Sequence, residues 1–209
     1  MLIVLEFLPL GIAFALRQDG GAAGANIEML SVIIATHDSE RALVPTLAAL
    51  VPGATAGIVR EVIIADGGSG DDTEQVADIA GCRFLSSGQP LGARLKAAAA
   101  IARGDWLMFL RPGVVPGPSW IDETFAFVQQ AAQPRAAVFA PEINGIAARL
   151  THAFSPLPRP EQGLILRKSF YEEIAGHRAS AGDPEFDLLR RIGRRRLITL
   201  RTTVTNPTI

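Results

Sequence analysis

Residues 61–73 read E-V-I-I-A-D-G-G-S-G-D-D-T: a hydrophobic run ends at Asp66 and is followed at once by glycines and acids. An apolar run of this length between polar residues predicts a strand that is buried on both faces. A helix over 71–80 follows, because its leading acids suit the positive N-terminal end of a helix dipole and Gly81 suits its end. The stretch therefore predicts one unit of strand, glycine-rich turn and helix.

The same unit recurs on both sides of this stretch. Upstream, the apolar run Leu30–Thr36 predicts a strand, and a helix follows over about 40–51, in which Pro45 is tolerated only in the first turn. Downstream, strands over 82–86 and 106–110 flank an alanine-rich helix over 91–103. Four such units in about 80 residues predict an α/β fold with a doubly wound, mostly parallel sheet flanked by helices.

After Arg111 the chain becomes rich in proline, and the elements are shorter. Residues 111–118 are predicted to form a loop, and residues 151–161 an ordered crossing over the surface. The other elements predicted in this half are helices over 120–132, 169–175 and 185–192, and strands over 136–140, 163–167 and 197–201.

Composition restricts the classes of function. The 209 residues carry a formal net charge of −1, so no basic excess exists that would bind nucleic acid without regard to sequence. A hydrophobic content of 48% excludes a disordered chain. Cys82 is the one cysteine, which excludes a disulfide framework and an all-thiolate zinc site. A single cysteine also favours a reducing compartment, so we expect a cytoplasmic protein.

The N-terminus differs from the rest of the chain. Residues 1–16 are apolar except for Glu6, and as a helix they would reach about 24 Å, short of a bilayer core of about 30 Å. Residues 19–25 read as a glycine and alanine linker. Two explanations remain open: translation starts at Met29, or the segment is a weak anchor that gives peripheral membrane contact. We therefore divide the chain into an extension, residues 1–28, and a domain, residues 29–209.

Candidate ligand-binding residues follow three of the predicted strands. In an open α/β sheet, ligands bind beyond the carboxyl ends of the strands. The polar residues placed there are Thr36, His37 and Asp38; Asp66, Gly67, Gly68 and Ser69; and Arg111. The Asp66 carboxylate would either accept a hydrogen bond from a ligand or cap the next helix. Because it stands at a strand end, we expect its removal to weaken binding and barely to change folding.

Signatures of several other enzyme classes do not occur in the sequence. The glycines after Asp66 do not form G-x-G-x-x-G, and neither the P-loop G-x-x-x-x-G-K-[ST] nor the hydrolase G-x-S-x-G occurs. The three histidines lack paired metal-ligand spacing. A dinucleotide-binding enzyme, a P-loop kinase or GTPase and a serine hydrolase of the nucleophile-elbow type are therefore excluded.

Several motifs stand in a fixed order along the chain. They are S-V-I-I-A-T-H-D at 31–38, the stretch at 61–73, A-R-G-D-W-L-M-F-L at 102–110, E-Q-G-L-I-L-R-K at 161–168 and P-E-F-D-L-L-R-R-I-G-R at 184–194. Together they resemble the inverting family-2 glycosyltransferases with the GT-A fold, and within that family a short bacterial subfamily with a D-G-G-S-x-D-x-T motif. The resemblance extends over about residues 29–205.

The resemblance implies a nucleotide-sugar donor, an acceptor of unknown identity and a role for each matching residue. Asp66 would contact the base of the donor, and Glu185 would be the general base that deprotonates the acceptor hydroxyl, with Asp183 and Asp187 as rivals. These three acids would otherwise only mark the N-terminus of a helix. The residues implied to bind substrate are Thr36, His37, Asp38, Asp66, Gly67, Gly68, Ser69, Arg94 and Arg111, with Gln162 and Gly163 on the acceptor side.

Two positions depart from the family pattern. Pro184 replaces the first acid of an E-D pair, and Arg111, Pro112 and Gly113 stand where a D-x-D motif would hold Mg²⁺ or Mn²⁺. We therefore name no metal ligand, and expect the Arg111 guanidinium to contact the donor diphosphate and nucleotide binding to be independent of divalent metal. The alternative is a catalytically silent GT-A domain that binds a nucleotide or a protein partner.

Overall fold

Strands and helices alternate through the described part of this computed structural model, which comprises residues 29–130, 135–142 and 157–205. The extension at 1–28 and most of the crossing expected over 151–161 lie outside these residues. The strands are β1 Leu30–Thr36, β2 Val59–Asp66, β3 Arg83–Ser86, β4 Trp106–Leu110, β5 Val115–Pro116, β6 Ala136–Pro141, β7 Leu164–Arg167 and β8 Leu197–Thr205. The helices are α1 Glu40–Thr55, α2 Thr73–Ile79, α3 Leu91–Ile101, α4 Trp120–Gln130, α5 Lys168–Glu173 and α6 Pro184–Ile192, with short 3-10 helices at Pro160–Gln162 and Arg194–Arg196.

The described strands form an eight-stranded sheet in the order β3-β2-β1-β4-β7-β6-β8-β5. Strands β3, β2, β1 and β4 are parallel neighbours, β7 is antiparallel to β4 and β6, β8 is parallel to β6, and β5 is antiparallel to β8. The predicted mostly parallel sheet flanked by helices is therefore confirmed. Its register pairs Thr36 with Asp66 and Asp66 with Ser86, which places these three strand ends at one edge.

Both faces of the sheet are buried, as the continuous apolar runs predict. Val32 and Ile34 contribute to one hydrophobic core, and Ile33 between them contributes to the other. Helices α1 and α4 cover the first face, through side chains such as Leu47 and Phe127, while α3, α5 and α6 cover the second. No helix in the described ranges is long and apolar enough to cross a membrane.

Two local predictions are corrected by the structure. Helix α1 does not stop at residue 51 but continues to Thr55, with Pro45 and Pro52 both inside it. Contacts from other elements support this helix, because Gly113 N donates to Ala42 O at 2.8 Å and Trp120 Nε1 donates to Ala49 O at 3.1 Å. The segment predicted to be a loop after Arg111 contains the short strand β5, which pairs with the end of β8.

Glu61 ties the strands together at the edge opposite the strand carboxyl ends. Its carboxylate is almost fully buried, accepts from Ser31 Oγ at 2.8 Å and Arg103 N at 2.6 Å, and pairs with the Arg83 and Arg103 guanidinium groups. Burial raises its pKa, but these hydrogen bonds and charges outweigh burial and lower the pKa below its ordinary value. Glu61 therefore stabilises the sheet as an anion.

His177 lies inside the fold. Its Nδ1 is 2.9 Å from the Tyr171 hydroxyl, and its ring contacts Phe109 edge-on. Burial, with the nearby Arg191 charge, lowers the pKa of His177 to about 3. The imidazole is therefore neutral at ordinary pH and belongs to the structure of the domain.

Candidate active site

The loops that follow β1 and β2 are joined to each other by hydrogen bonds at the carboxyl edge of the sheet. The bonds are Gly67 N to Thr36 O at 2.9 Å, Asp38 N to Ser69 Oγ at 2.9 Å, Gly70 N to Asp38 Oδ1 at 2.7 Å, Ser39 N to Thr73 Oγ1 at 2.9 Å and Glu40 N to Asp71 Oδ2 at 3.0 Å. The first amides of α1 are thus capped by side chains from the neighbouring unit. The two motifs at 31–38 and 61–73 are thereby joined into one surface.

Asp66 organises this surface, and its carboxylate is 1% exposed. Oδ1 accepts from Thr36 Oγ1 at 2.8 Å and from Ser69 Oγ at 2.5 Å, while Oδ2 accepts from the backbone N–H groups of Gly68 and Ser69 at 2.7 and 2.8 Å and from Ser86 Oγ at 3.2 Å. Burial alone would raise its pKa, but these bonds outweigh burial and lower the pKa to about 2.

Asp66 is thus buried and not outside the core as expected, and the network predicts a large effect of its removal on folding instead of a small one. A carboxylate has about four lone-pair positions, and here five donors within the protein already occupy them. In this structure Asp66 shapes the turn that the ligand would contact, and its predicted bond to a donor base would need one of the protein donors to move.

Arg94 also acts on the backbone at this edge. From α3 its guanidinium donates to Thr36 O at 3.0 Å and to Ala65 O at 2.6 Å. It lies against Gly67, where an added Cβ would be 3.1 Å from Arg94 Nη1. Arg94 therefore fixes the ends of β1 and β2 beneath the loops.

Exposed groups at this edge come from the tips of the two loops. The side chains of His37 and Asp38 are 62% and 57% exposed, with His37 Nε2 3.9 Å from Asp38 Oδ2. Asp38 has a positive φ of 47°, and the exposed Gly68 has a φ of 88°, so both loops turn sharply and leave backbone open to solvent. Of the predicted donor-binding residues, these three are the ones most accessible to a ligand.

A second group of charged residues lies at the end of β4. Arg111 Nε donates to Glu185 Oε2 at 2.8 Å, Nη2 lies 2.6 Å from the same oxygen in an ion pair, and Nη1 donates to Glu161 Oε1 at 2.6 Å. The Glu185 side chain is 13% exposed and that of Arg111 is 33% exposed. The structure thus brings the predicted base and the predicted diphosphate ligand into one ion pair.

The charges around Arg111 are mostly negative. Burial raises the pKa of Glu185; the bond to Arg111 lowers it, whereas the charges of Asp183 and Glu161 raise it further, and the result is a raised pKa. Burial lowers the pKa of Arg111, but Glu185 and Glu161 outweigh burial and raise it. Three carboxylates surround one guanidinium, so the ion pair alone leaves no free positive charge for a diphosphate.

The structure distinguishes the three acids proposed as the base. Asp183 is the N-cap of α6 and accepts from Phe186 N at 2.9 Å. Asp187 pairs with Arg191 at 2.8 Å, one helical turn away. Glu185 projects from the first turn of α6 toward β4 and is the one of the three that contacts Arg111.

Gln162 and Gly163, expected on the acceptor side, are both buried in this structure, and their place beside an acceptor stays a prediction. The Gln162 side chain is 4% exposed; its Nε2 donates to Phe139 O at 2.8 Å and its Oε1 accepts from Arg159 N at 2.8 Å. Gly163 has a φ of 68°, and an added Cβ would lie 2.8 Å from Leu110. Both residues pack against neighbouring strands, and the residue before them, Glu161, contacts Arg111.

Glu161 is the residue that sequence reasoning missed. It stands at the start of the motif at 161–168, yet nothing in its spacing indicates a partner. Its contact with Arg111 joins residues 50 positions apart and depends on β7 pairing with β4 in the sheet.

The side chains at the end of β4 do not fit a divalent metal ion. Arg111 occupies the position at which the family pattern places a carboxylate, and its permanent charge would repel a cation bound beside it. The oxygens of Glu161 and Glu185 nearest this point are taken up by the guanidinium. Among the described residues, no group of three or more His, Cys, Asp or Glu side chains is arranged to hold a metal.

Comparison with known proteins gives a family match and a fold. The family model described as glycosyl transferase family 2 matches residues 31–139, more than half of the 209 residues. Glucosyl-3-phosphoglycerate synthase from Mycobacterium tuberculosis, in complex with Mn²⁺, uridine diphosphate and phosphoglyceric acid, is 17% identical with a TM-score of 0.67, over 92% of this chain and 78% of that one. The S. aureus TarS fragment 1–349 is 15% identical with a TM-score of 0.61, over 86% of this chain and 58% of that one. No curated protein sequence matches the chain. The structural likeness, at these identities, concerns the fold.

Proposed function

Because the chain belongs to glycosyl transferase family 2, we propose that it transfers a sugar from a nucleotide-sugar donor to an acceptor hydroxyl by inverting displacement. The observation that carries the chemistry is the position of Glu185: a largely buried carboxylate with a raised pKa, beside a guanidinium at the carboxyl end of β4. A carboxylate whose pKa is raised is a stronger base than an ordinary surface acid.

The reaction requires one proton transfer and one exchange of bonds. Glu185 accepts the proton of the acceptor hydroxyl while that oxygen forms a bond to the anomeric carbon of the sugar. The bond from the anomeric carbon to the diphosphate breaks on the opposite face, and the nucleoside diphosphate leaves with the bonding electrons. Arg111 supplies the fixed positive charge that stabilises this leaving group.

On the donor side we propose that the nucleoside lies across the two joined loops. His37, Asp38 and Gly68 are the accessible groups there, whereas Thr36, Asp66, Gly67, Ser69 and Arg94 hold the loops in shape. The related synthase binds uridine diphosphate, which makes uridine nucleotides the first donors to test. A direct bond between Asp66 and the base stays a prediction.

A second candidate function is a catalytically silent domain that binds a nucleotide or a partner. It is favoured by one observation, namely that Arg111 and Glu185 neutralise each other where the family pattern expects a metal-binding acid. The proposed cytoplasmic location rests on the single cysteine, Cys82, and the proposed peripheral membrane contact rests on residues 1–16, which lie outside the described residues. Nucleic acid is not proposed as a partner, because the net charge of −1 provides no basic excess.

The deciding experiment titrates uridine and guanosine diphosphate against the wild type and Arg111→Ala by calorimetry, each with Mn²⁺ and with chelator. We expect one of the nucleotides to bind, and Arg111→Ala to cost more affinity than the chelator does. Arg60→Ala, an exposed arginine at the other end of the sheet, is the matched control. A large Mn²⁺ dependence of the wild type would contradict the role given to Arg111 and direct attention to Asp66, Asp183 and Glu185 as ligands.

Release of free sugar from a bound nucleotide-sugar separates the two candidate functions. We expect slow sugar release from the wild type and none from Glu185→Gln. Binding without any release or transfer by the wild type would favour the silent domain. The absence of binding to every nucleoside diphosphate tested would reject the nucleotide-sugar function altogether.

A further inference from the structure

We propose that Arg111 exchanges anionic partners during the reaction: when the donor binds, it leaves Glu185 for the diphosphate, and Glu185 is thereby released to the acceptor hydroxyl. This inference rests on the proposed function and deepens it. It assigns Glu185 a second role, that of a competitor which sets the affinity for the donor.

The geometry of the ion pair favours exchange. Two nitrogens of Arg111, Nε and Nη2, lie 2.8 and 2.6 Å from one oxygen of Glu185, rather than one nitrogen against each oxygen as in a bidentate pair. Glu185 Oε1 has no hydrogen-bond donor in the described part of the chain. A diphosphate presents several oxygens at the spacing that matches the guanidinium fork, so it offers Arg111 a better set of acceptors.

The exposure of the three side chains indicates which of them moves. Arg111 is 33% exposed and Glu161 is 43% exposed, while Glu185 is 13% exposed and held by the first turn of α6. The guanidinium therefore reaches both the solvent side and the buried carboxylate. Glu161, which contacts a different nitrogen, retains Arg111 at the end of β4 during the exchange.

The charge balance makes the exchange necessary for donor binding. With Glu161, Glu185 and Asp183 near one guanidinium, an added diphosphate would meet net negative charge. Once Arg111 turns to the diphosphate, Glu185 loses its one cationic neighbour among the described residues, and burial and the two remaining acids make it more basic. Glu185, whose pKa is already raised in the free protein, thus becomes a still stronger base when the donor is in place.

The test compares the affinities of Glu185→Gln and the wild type for uridine diphosphate, guanosine diphosphate and inorganic pyrophosphate. We expect Glu185→Gln to bind the diphosphate about threefold to tenfold more tightly, because the partner that competes for Arg111 loses its charge. Glu161→Gln, which also frees one N–H of Arg111, should show a smaller gain in affinity for the diphosphate. It is the substitute test if Glu185→Gln does not fold. Glu173→Gln removes an exposed acid on α5 and should bind like the wild type.

Two further measurements identify the exchange itself. In an Arg111→Gln background the gain from Glu185→Gln should disappear, because there is no guanidinium to compete for. Calorimetry in buffers of different ionisation heat, repeated over a pH series from about 4 to 8, should show that in the acidic part of the series the wild type takes up more protons on binding than Glu185→Gln does, since the pKa of Glu185 rises further when Arg111 leaves it.

The outcomes separate the inference from the function on which it rests. If the wild type binds a nucleoside diphosphate and Glu185→Gln binds it equally or more weakly, the exchange is wrong and the proposed function stands. Equal proton uptake by the two proteins at every pH of the series would also overturn it. If pyrophosphate binds Glu185→Gln more tightly than the wild type and no nucleotide binds, the exchange stands and the nucleotide-sugar function is wrong. If neither pyrophosphate nor a nucleoside diphosphate binds any form of the protein, both the exchange and the proposed function are wrong.

Discussion

Replacing Asp66 should destabilise the whole domain, since five donors of the protein converge on its carboxylate. Asp66→Ala leaves these donors unpaired at a site that is 1% exposed. Asp66→Asn keeps the shape of the side chain and one of its two oxygens. Its NH₂ group, which donates, would replace an oxygen that accepts either from two hydroxyls or from two backbone N–H groups. Both substitutions therefore break a buried network rather than a single contact.

The size of the effect follows from the network and from the pKa. A single charged hydrogen bond contributes about 1.5–3 kcal/mol, but the five share one carboxylate and are not additive, so we expect about 3–5 kcal/mol for Asp66→Ala and about 2–4 kcal/mol for Asp66→Asn. The pKa of about 2, against 3.8 for an ordinary Asp, gives a consistent figure of about 2 kcal/mol for the ionised form. Because the folded pKa is the lower one, this stability is present above about pH 4 and is lost as the pH falls toward about 2.

Urea unfolding followed by circular dichroism measures these differences, at neutral pH and in a series down to pH 2. Asp72→Asn is the matched control, because Asp72 lies in the same turn, is exposed and makes no side-chain cap hydrogen bond. We expect the control to stay within about 0.5 kcal/mol of the wild type. If Asp66→Asn is as stable as the control, the hydrogen bonds assigned to Asp66 do not stabilise the fold. That result would favour a direct role of Asp66 in ligand binding.

Three further predictions concern other parts of the domain. Glu61→Gln should lower the free energy of unfolding in urea by about 2–4 kcal/mol, because a buried anion with several donors loses its charge. Replacement of the exposed Glu74 by Gln should lower it little, and equal losses would contradict the network assigned to Glu61. His177 stays neutral in the folded protein down to about pH 3, whereas in the unfolded chain it is protonated below about pH 6.5. Stability should therefore fall as the pH falls from about 6.5 to about 3. His177→Gln should flatten the dependence of the melting temperature on pH in this range. Gly92→Ala would place a Cβ 2.3 Å from a backbone carbonyl of the loop before α6 and should cost about 1–3 kcal/mol of stability. Gly182→Ala, whose added Cβ would meet nothing within 4 Å, should leave stability unchanged. If Gly92→Ala melts at the wild-type temperature, the loop adjusts to the added Cβ without cost.

The elements were largely predictable because hydrophobic period and turn chemistry are local. The strand Leu30–Thr36 has the predicted limits, as does Trp106–Leu110, since each is an unbroken apolar run between polar residues. The end of α1 was not predictable in the same way. Pro45 and Pro52 argue locally against a helix, and the donors that support it, Gly113 and Trp120, come from distant parts of the chain.

For the candidate site, local pattern identified the residues but not their partners. The order of the motifs in the sequence determined the α/β class, the family and the positions of Asp66, Arg111 and Glu185, because each is fixed by spacing within one segment. Whether such a side chain faces a ligand or the protein depends on what the sheet brings beside it. Asp66 is saturated by donors from three neighbouring strand ends, and Arg111 is paired with acids 50 and 74 residues away, because β7 and α6 return to the end of β4. Ion pairing and hydrogen bonding act over a few ångströms of space, and only the tertiary structure sets those distances.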